Sequence, residues 1–310
     1  MPRARKNSII NYNNKIYGGS DMDYSKKTEL RIMSHNIWCG PVYNRDLHMR
    51  DIYMRYLPDV LGLQEMTPNL YESRIVEILE PEYELLTHKE AEGFTDNTPL
   101  LIRKGMFDVI DHGWHLFTGL NNHKTKSLAW AVLRRKSDGM QFGAISTHFW
   151  WQGGPESDLA RVGDVDQMMT YVNYMKYKYN VPVVAMGDWN CRIGSLPYRR
   201  AYEWGGLDTR VCATEYSHLT GTHHPYAVYN PESGEYEGGP APKGSQLTSI
   251  DHIFLFGHEG FDVKEYRVVL EQDALDVSDH CPIYIDCNLK ALPVLPSKPT
   301  TQYIPKEETK

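Results

Sequence analysis

Residues Val181 to Asn190 read VPVVAMGDWN, an apolar run that gives way abruptly to polar residues at Asp188 and Asn190. Valines without a charge up to Gly187 predict a strand, with Asp188 and Asn190 at its end. Just before it, SDLARVGDVDQMMTYVNYMKYKY predicts a helix capped by Ser157 or Asp158. Further upstream, LAWAVLRR and QFGAISTHFWW predict two strands joined as a hairpin by the turn KSDGM, and YELLTH and TPLLIRK predict two more. Downstream, SIDHIFLFG, VKEYRVVL and CPIYIDCNL close the chain as strands. Between VPVVAMGDWN and these three strands lies a stretch rich in Gly, Pro and Tyr, from about Thr220 to Gln246, which reads as a long loop.

At the other end, ELRIMSHNIW and DVLGLQEM read as strands. They flank DLHMRDIYMRYL, whose Leu47, Ile52 and Tyr56 sit among charges as in a helix. A second helix is predicted in PNLYESRIVEILE from the spacing of Leu70, Ile75, Ile78 and Leu79. Strands outnumber helices, no repeat is visible, and no linker divides the middle of the chain. One domain with two mixed sheets packed face to face and helices outside accommodates this pattern. Residues 1–28 read as a polar N-terminal extension, residues 29–290 as the domain, and residues 291–310 as a Pro/Lys-rich tail.

With 310 residues, 41% of them hydrophobic, the chain can bury a substantial core. A formal charge of -7 gives no global basic field, which disfavours a protein that wraps long nucleic acid and leaves room only for a local basic cleft. The five cysteines form no C-x-x-C pair, so neither a zinc knuckle nor a disulfide framework is indicated. No run is long and apolar enough to span a bilayer, and the basic N-terminus lacks the apolar centre of a signal peptide. As given, the sequence reads as cytoplasmic, and a secreted or periplasmic protein stripped of its signal would read the same.

Polar residues recur where the strands end. Asn36 closes the first, Glu65 the second, His148 the STH strand, and Asp188 with Asn190 the GDWN strand; Asp251 opens IDHIF, and Asp279 with His280 opens the last. Taken singly, Glu65 reads as a solvated carboxylate, Asn36 as a turn residue, His148 as a satisfied half-buried histidine and GDWN as an ordinary turn. Ser278 and Asp279 likewise suit a turn that bonds its own backbone. Together, at strand ends flanked by apolar residues, their burial is costly unless a metal or a partner offsets the charge. If all these ends meet at one rim, they form a metal-assisted hydrolase.

This order of motifs, MSHNIW, DVLGLQE, STH, GDWN, SIDHIF and SDHCPI, resembles the endonuclease/exonuclease/phosphatase superfamily, the pancreatic deoxyribonuclease-like phosphohydrolases, from about Glu29 to Asn288. The resemblance implies an α+β fold: a four-layer α/β/β/α sandwich of two mixed, mostly antiparallel sheets with outer helices. It implies that Glu65 is the main magnesium ligand, helped by Asn36 and, from the cation's other side, by Asp279. Oxygen donors of this kind suit Mg2+, with Mn2+ as a substitute. It further implies that Asp188 orients or deprotonates the attacking water and Asn190 donates to a phosphoryl oxygen. His148 and His280 would contact the phosphate from two sides, and Asp251 would accept from His280 and favour its charged form.

After STH this chain continues with Phe149, Trp150 and Trp151, where the family commonly has Leu and an acidic residue. Trp150 and Trp151 face opposite ways if the strand runs on, so at most one lines the cleft. Trp150 and the 220–246 loop are therefore expected to set substrate choice. Trp189 reads equally as core packing and as a substrate contact. Arg161 resembles a family arginine that frames the site, or reads as a solvated helix residue. His223 and His224 in HLTGTHHPY suggest a second metal, but no carboxylate lies at ligand spacing in the sequence, so they read as part of a lid or a substrate contact.

The sequence thus points to a magnesium-dependent phosphoesterase acting on a phosphodiester or phosphomonoester, in a phosphorylated small molecule or lipid headgroup. A DNA or RNA nuclease shares the same catalytic residues but needs a basic, stacking groove, and RRKSDG and YRRAYEW are too short to supply one. A catalytically inactive binding module has no chemical need for Glu65, Asp188, Asn190 and His280 together.

Overall fold

The computed structural model describes residues 29–40, 45–67, 70, 74–86, 97–217, 221–224, 227–230, 235–238 and 248–292. The expected extension at 1–28 and nearly all of the tail lie outside these residues.

The run that opened the sequence reading is strand β8, Val183–Asp188, and every residue in it is buried. Its side chains alternate between two cores. Val184 and Met186 face the packed interior between the sheets, whereas Val183 and Ala185 face an outer core under helices. A strand covered on both faces has no polar alternation to show, which is why it reads as a plain apolar run.

Strand β8 belongs to a six-stranded sheet. Its members are β5 (Phe107–Leu116), β6 (Ser127–Arg135), β7 (Gln141–His148), β8, β13 (Asp251–Phe256) and β9 (Gly206–Asp208), in that spatial order. The second sheet has seven strands. In spatial order they are β10 (Glu215–Ser217), β14 (Phe261–Val268), β15 (Ile283–Leu289), β1 (Leu30–Asn36), β2 (Val60–Gln64), β4 (Leu100–Arg103) and β3 (Tyr83–Leu86). Leu30, Ile32, Val60, Ile283 and Ile285 of the second sheet pack against Ala131, Ala144, Val184 and Ile253 of the first.

Helices close the outside. Helix α3, Pro155–Tyr179, lays Val165, Met168, Val172 and Met175 on the six-stranded sheet. Helices α1 (Arg45–Tyr56) and α2 (Arg74–Leu79) cover the seven-stranded sheet with Met49, Ile52, Tyr53, Tyr56, Ile75 and Leu79. Three cores separating four layers give the α/β/β/α sandwich expected, and antiparallel pairs outnumber parallel ones within it.

Local readings are corrected in three places. Helix α3 begins at Pro155 after Gly154, not at Ser157 or Asp158; Ser157 Oγ instead donates to the Gly153 carbonyl. Strand β7 ends at His148, so Trp150 and Trp151 do not alternate across a continuing strand. The stretch expected as one long loop contains a hairpin of β11 (Ala227–Asn230) and β12 (Glu235–Gly238), and the rest of it, beyond 221–224, lies outside the described residues.

Candidate active site

Strand register brings the site together. Strands β7 and β8 are parallel with His148 beside Asp188, and β13 runs antiparallel to β8 with Asp251 beside the same Asp188. Three functional side chains therefore stand abreast on adjacent strands. In the facing sheet, β1 and β2 are parallel with Asn36 beside Gln64, so Glu65 follows at the same rim. Strand β15 pairs Ile283 with Ser34 of β1, and this sets Asp279 and His280 at the rim as well.

Tight backbone at this rim makes the approach of the side chains feasible. A Cβ at Gly187 would fall 1.9 Å from the Thr147 carbonyl oxygen, so only glycine lets β8 come close enough to β7 for Asp188 to face His148. Trp38, Glu65 and Asn190 all adopt left-handed backbone with φ of 50°, 61° and 49°. Such conformations cost energy for non-glycine residues and concentrate where a turn must aim a side chain.

Asp188 is the hub. Its Oδ2 accepts from Asn36 Nδ2 at 3.0 Å and Asn190 Nδ2 at 3.2 Å, and lies 3.2 Å from His148 Nε2 and 3.7 Å from His280 Nε2. Oδ1 accepts from the Asn190 backbone N–H at 2.8 Å. Burial alone would raise this carboxyl, but His280, His148 and Lys126 outweigh it and hold Asp188 well below the usual carboxylate range. Glu65 follows the same balance: burial opposes ionisation, His148, Lys126 and the Cys39 N–H favour it, and the carboxyl settles at about 2. Asn36 ties the two carboxylates together by donating to Glu65 Oε1 at 3.1 Å while its own oxygen accepts from the Trp38 N–H.

The two histidines lie in opposite fields. Burial works against the His280 cation, but Asp251 at 2.9 Å from Nδ1 and Asp188 beyond Nε2 raise it well above the ordinary value. Burial and the neighbouring Lys126 ammonium push His148 down. Thr222 Oγ1 donates to Asp251 at 2.5 Å and fixes the carboxylate that fixes His280. Ser278 does make the local turn expected of it, because its Oγ accepts from the His280 N–H and donates to the Asn36 carbonyl. That turn is what holds the histidine.

Lys126 escaped the sequence reading. It lies just before β6 in the polar run NNHKTKS, where nothing local distinguishes it from solvated lysines. In the structure it is buried, with Nζ 2.5 Å from His148 Nε2 and 3.2 Å from Nδ1; burial lowers its pKa, against the pull of Glu65 and Asp188.

The three residues expected to touch substrate are placed differently. Trp189 is fully buried, stacked on Phe254 with centroids 4.7 Å apart and tilted against Phe149, so it belongs to the core and not to the cleft wall. Arg161 is also buried, and its guanidinium donates to the Trp150 and Gln152 carbonyls and to Asp158. It holds the segment after His148 and does not point to the carboxylate hub. Trp150 is half-buried, its backbone N–H bonded to Asp164 and its indole N–H to Ser157.

Among the described residues, the His, Cys, Asp and Glu side chains able to hold a metal ion fall into three overlapping groups: Glu65 with His148 and Asp188, Asp188 with Asp251 and His280, and His223 with Asp279 and His280. The expected set of Asn36, Glu65 and Asp279 is thus divided, with Glu65 in the first group and Asp279 in the third.

The two-sheet sandwich thus gathers carboxylates, amides and imidazoles at one rim. Residues 33–280 match the family model described as the endonuclease/exonuclease/phosphatase family, and the chain belongs to that family. Among curated proteins none matches the chain in sequence. Among solved structures it is similar to the Bacteroides thetaiotaomicron mannosyl-6-phosphatase, with a TM-score of 0.68 and 19% identity, covering 84% of this chain and 100% of that one. It is also similar to the human Nocturnin catalytic domain with bound sulfate, with a TM-score of 0.61 and 15% identity over 84% of this chain and 94% of that one. A third likeness is to truncated Caenorhabditis elegans TDP2, at 0.58 and 19%, over 83% and 96%. At such identities these likenesses establish the fold. Among the described residues no helix is long and apolar enough to cross a membrane.

Proposed function

We propose that this chain is a magnesium-dependent phosphoesterase that hydrolyses a phosphodiester or phosphomonoester in a small or exposed phosphorylated molecule, by direct attack of water. The observation that carries the reading is Asp188 set between His148 and His280, with Asp251 bonded to the second histidine.

The donors suit a hard divalent ion. Glu65 and Asp188 are both held ionised at the rim, with Asp279 near them, and an ion of two positive charges suits such a set of oxygens. Glu65 and Asn36 hold magnesium in this reading, with Asp279 on its far side. The metal supplies charge that stabilises the phosphoryl oxygens as attack proceeds.

The protein residues supply the rest. A carboxylate held as strongly ionised as Asp188 is a weak base, so its part is to accept a hydrogen bond from the attacking water and orient it. Asn190 Nδ2 stands beside Asp188 and donates to a non-bridging oxygen. His280, kept charged by Asp251, donates from Nε2, while His148 serves as a neutral donor on the opposite side. Lys126, its pKa lowered by burial, stands beside them as a further nitrogen donor, and Lys126→Met lowers turnover roughly 100-fold by removing it. An unchanged rate in that variant would return Lys126 to a purely structural part.

The formal charge of -7 and the likeness to a mannosyl-6-phosphatase both support a small phosphorylated substrate over long nucleic acid. The test is a Mg2+ activity panel of sugar and inositol phosphates, phospholipids, bis-p-nitrophenyl phosphate, p-nitrophenyl phosphate, and single- and double-stranded nucleic acids. Hydrolysis of a small phosphoester that stops with excess chelator is the expected result. Activity that survives the chelator, or hydrolysis of nucleic acid alone, overturns the proposal.

A further inference from the structure

The sequence offered adjacent histidines at 223 and 224 and no carboxylate near them. The fold supplies the carboxylate from the far end of the chain. His223 Nε2 lies 3.6 Å from Asp279 Oδ2, His280 Nε2 lies 3.8 Å from Asp279 Oδ1, and one ligand atom from each residue falls within 4.8 Å of the others. We propose that His223, Asp279 and His280 form a binding site for a borderline transition-metal ion such as Zn2+, and that filling it shuts the active site.

Four features support the site. The donor set is two imidazoles and one carboxylate, which suits Zn2+ and is poorly matched to Mg2+, an ion that prefers oxygen throughout. Bonds of about 2.0–2.1 Å put tetrahedral donors roughly 3.3 Å apart, so the side chains close on an ion with movements on the order of 1 Å. The two imidazole rings, with centroids 4.8 Å apart, are inclined at 62° and not stacked, which leaves their nitrogens free to converge. Asp251 already binds Nδ1 of His280, the outer support that orients a metal-ligating histidine, and Nε2 takes the ion on releasing its proton to solvent.

The backbone holds the partners in place. His223 exchanges hydrogen bonds with Thr248 at 2.9 and 3.0 Å, and the next N–H, that of His224, donates to the Asp279 carbonyl at 2.8 Å. Asp279 Oδ1 is buried and has no hydrogen-bond partner, an unmet acceptor beside His280. His223 is about one third exposed, so an ion has a route to the site.

Metal binding here stands without the catalytic reading, but its inhibitory consequence rests on that reading. An ion on His280 Nε2 removes the donor assigned to the phosphate, and it draws Asp279 away from the magnesium side. Zinc then opposes magnesium without taking its place at Glu65.

The experiment titrates the full-length protein and its His223→Gln variant with Co2+, read by the visible absorption of the four-coordinate ion, and with Zn2+ during Mg2+-supported turnover. The wild type is expected to give the cobalt spectrum and to be inhibited by zinc. In His223→Gln the spectrum is lost and the half-inhibiting zinc concentration, relative to that variant's own zinc-free rate, rises about 10- to 100-fold. Identical cobalt spectra and zinc sensitivity in the two proteins would overturn the site and put zinc elsewhere. A cobalt spectrum that depends on His223, combined with a wild-type rate indifferent to zinc, would overturn the inhibitory half and the assignment of His280 to the phosphate. The cobalt arm needs no turnover, so it decides the site even if every substrate in the panel fails.

Discussion

The two sheets meet at one rim but bring different chemistry to it. From the six-stranded sheet come His148, Asp188 and Asp251, each about 2% exposed and locked by ladder register. From the seven-stranded sheet come Asn36 and His280, which are also buried, and Glu65 and Asp279, whose side chains are 21% and 19% exposed and which sit in turns beyond the strands. Buried, paired groups keep a fixed charge and direction, as an apparatus for orienting water and phosphate requires. Half-open oxygens can exchange water for an ion. The comparison teaches that a strand end inside the ladder and a turn just past it are different tools, even a few ångströms apart.

Substituting one residue on each side tests this division most severely. Asp188→Asn is expected to lower kcat on the order of 10³-fold and to leave the Mg2+ concentration dependence in place, because it removes an orienting charge. Glu65→Gln is expected to shift the Mg2+ dependence to higher concentration and to recover much of its rate there. Rates measured across a magnesium series for both variants decide the matter; equal shifts in the two would erase the distinction between the sheets.

A second contrast lies within the six-stranded side. Trp189→Ala is expected to cost about 3–5 kcal/mol of stability, since it empties a stacked core position, with no change in relative rates across substrates. Trp150→Ala is expected to do the reverse, altering relative rates with little loss of stability. Denaturant melts and the activity panel on both variants provide the check, and altered selectivity in Trp189→Ala would move that residue back to the cleft.

A further test concerns how the segment after His148 is anchored. Asp164 is buried and accepts from the Trp150 N–H and from Asn121, yet burial outweighs these bonds and pushes its carboxyl up to about 7. The folded chain therefore keeps this proton up to about pH 7, while the unfolded chain releases it near its ordinary value of 3.8. Between those points the folded state binds more protons, so the stability due to this group falls as pH rises through that window and levels off above it. In Asp164→Asn that slope is absent. Urea melts of both proteins at pH 4, 5.5 and 7 show the stability of the wild type relative to the variant declining with pH; parallel profiles would remove the argument.

Most of the rim was readable from the sequence because the motifs mark strand ends, and strand ends are where period-two apolar runs stop. Asn36, Glu65, His148, Asp188, Asn190, Asp251, Asp279 and His280 all occupy such positions. Helix α4, Leu196–Glu203, shows in the sequence only as the short basic cluster YRRAYEW, because its arginines hide a short buried face of Pro197, Tyr198 and Ala201. Strand β5 was missed altogether. It is an edge strand with a bulge between Val109 and Asp111, half-exposed along most of its length, so its apolar alternation is diluted. Lys126 and the His223–Asp279 pairing could not be read at all, since each depends on where a distant strand ends and not on any neighbour in the chain.

The parallel alignment of β7 with β8, which sets His148 beside Asp188, has a consequence for retargeting the molecule. Both residues are placed by the ladder, and beyond the buried Phe149 and Trp189 the connections that leave them reach the surface at 151–156 and 192–194. Lengthening a surface connection is thermodynamically mild, about 0.6 kcal/mol for each doubling. The walls around the rim can therefore be exchanged by grafting while the reacting groups keep their spacing. A designer wishing to give this scaffold a new substrate should replace the segment after His148 and leave Gly187 untouched, because the chemistry is spaced by that glycine and the selectivity is not.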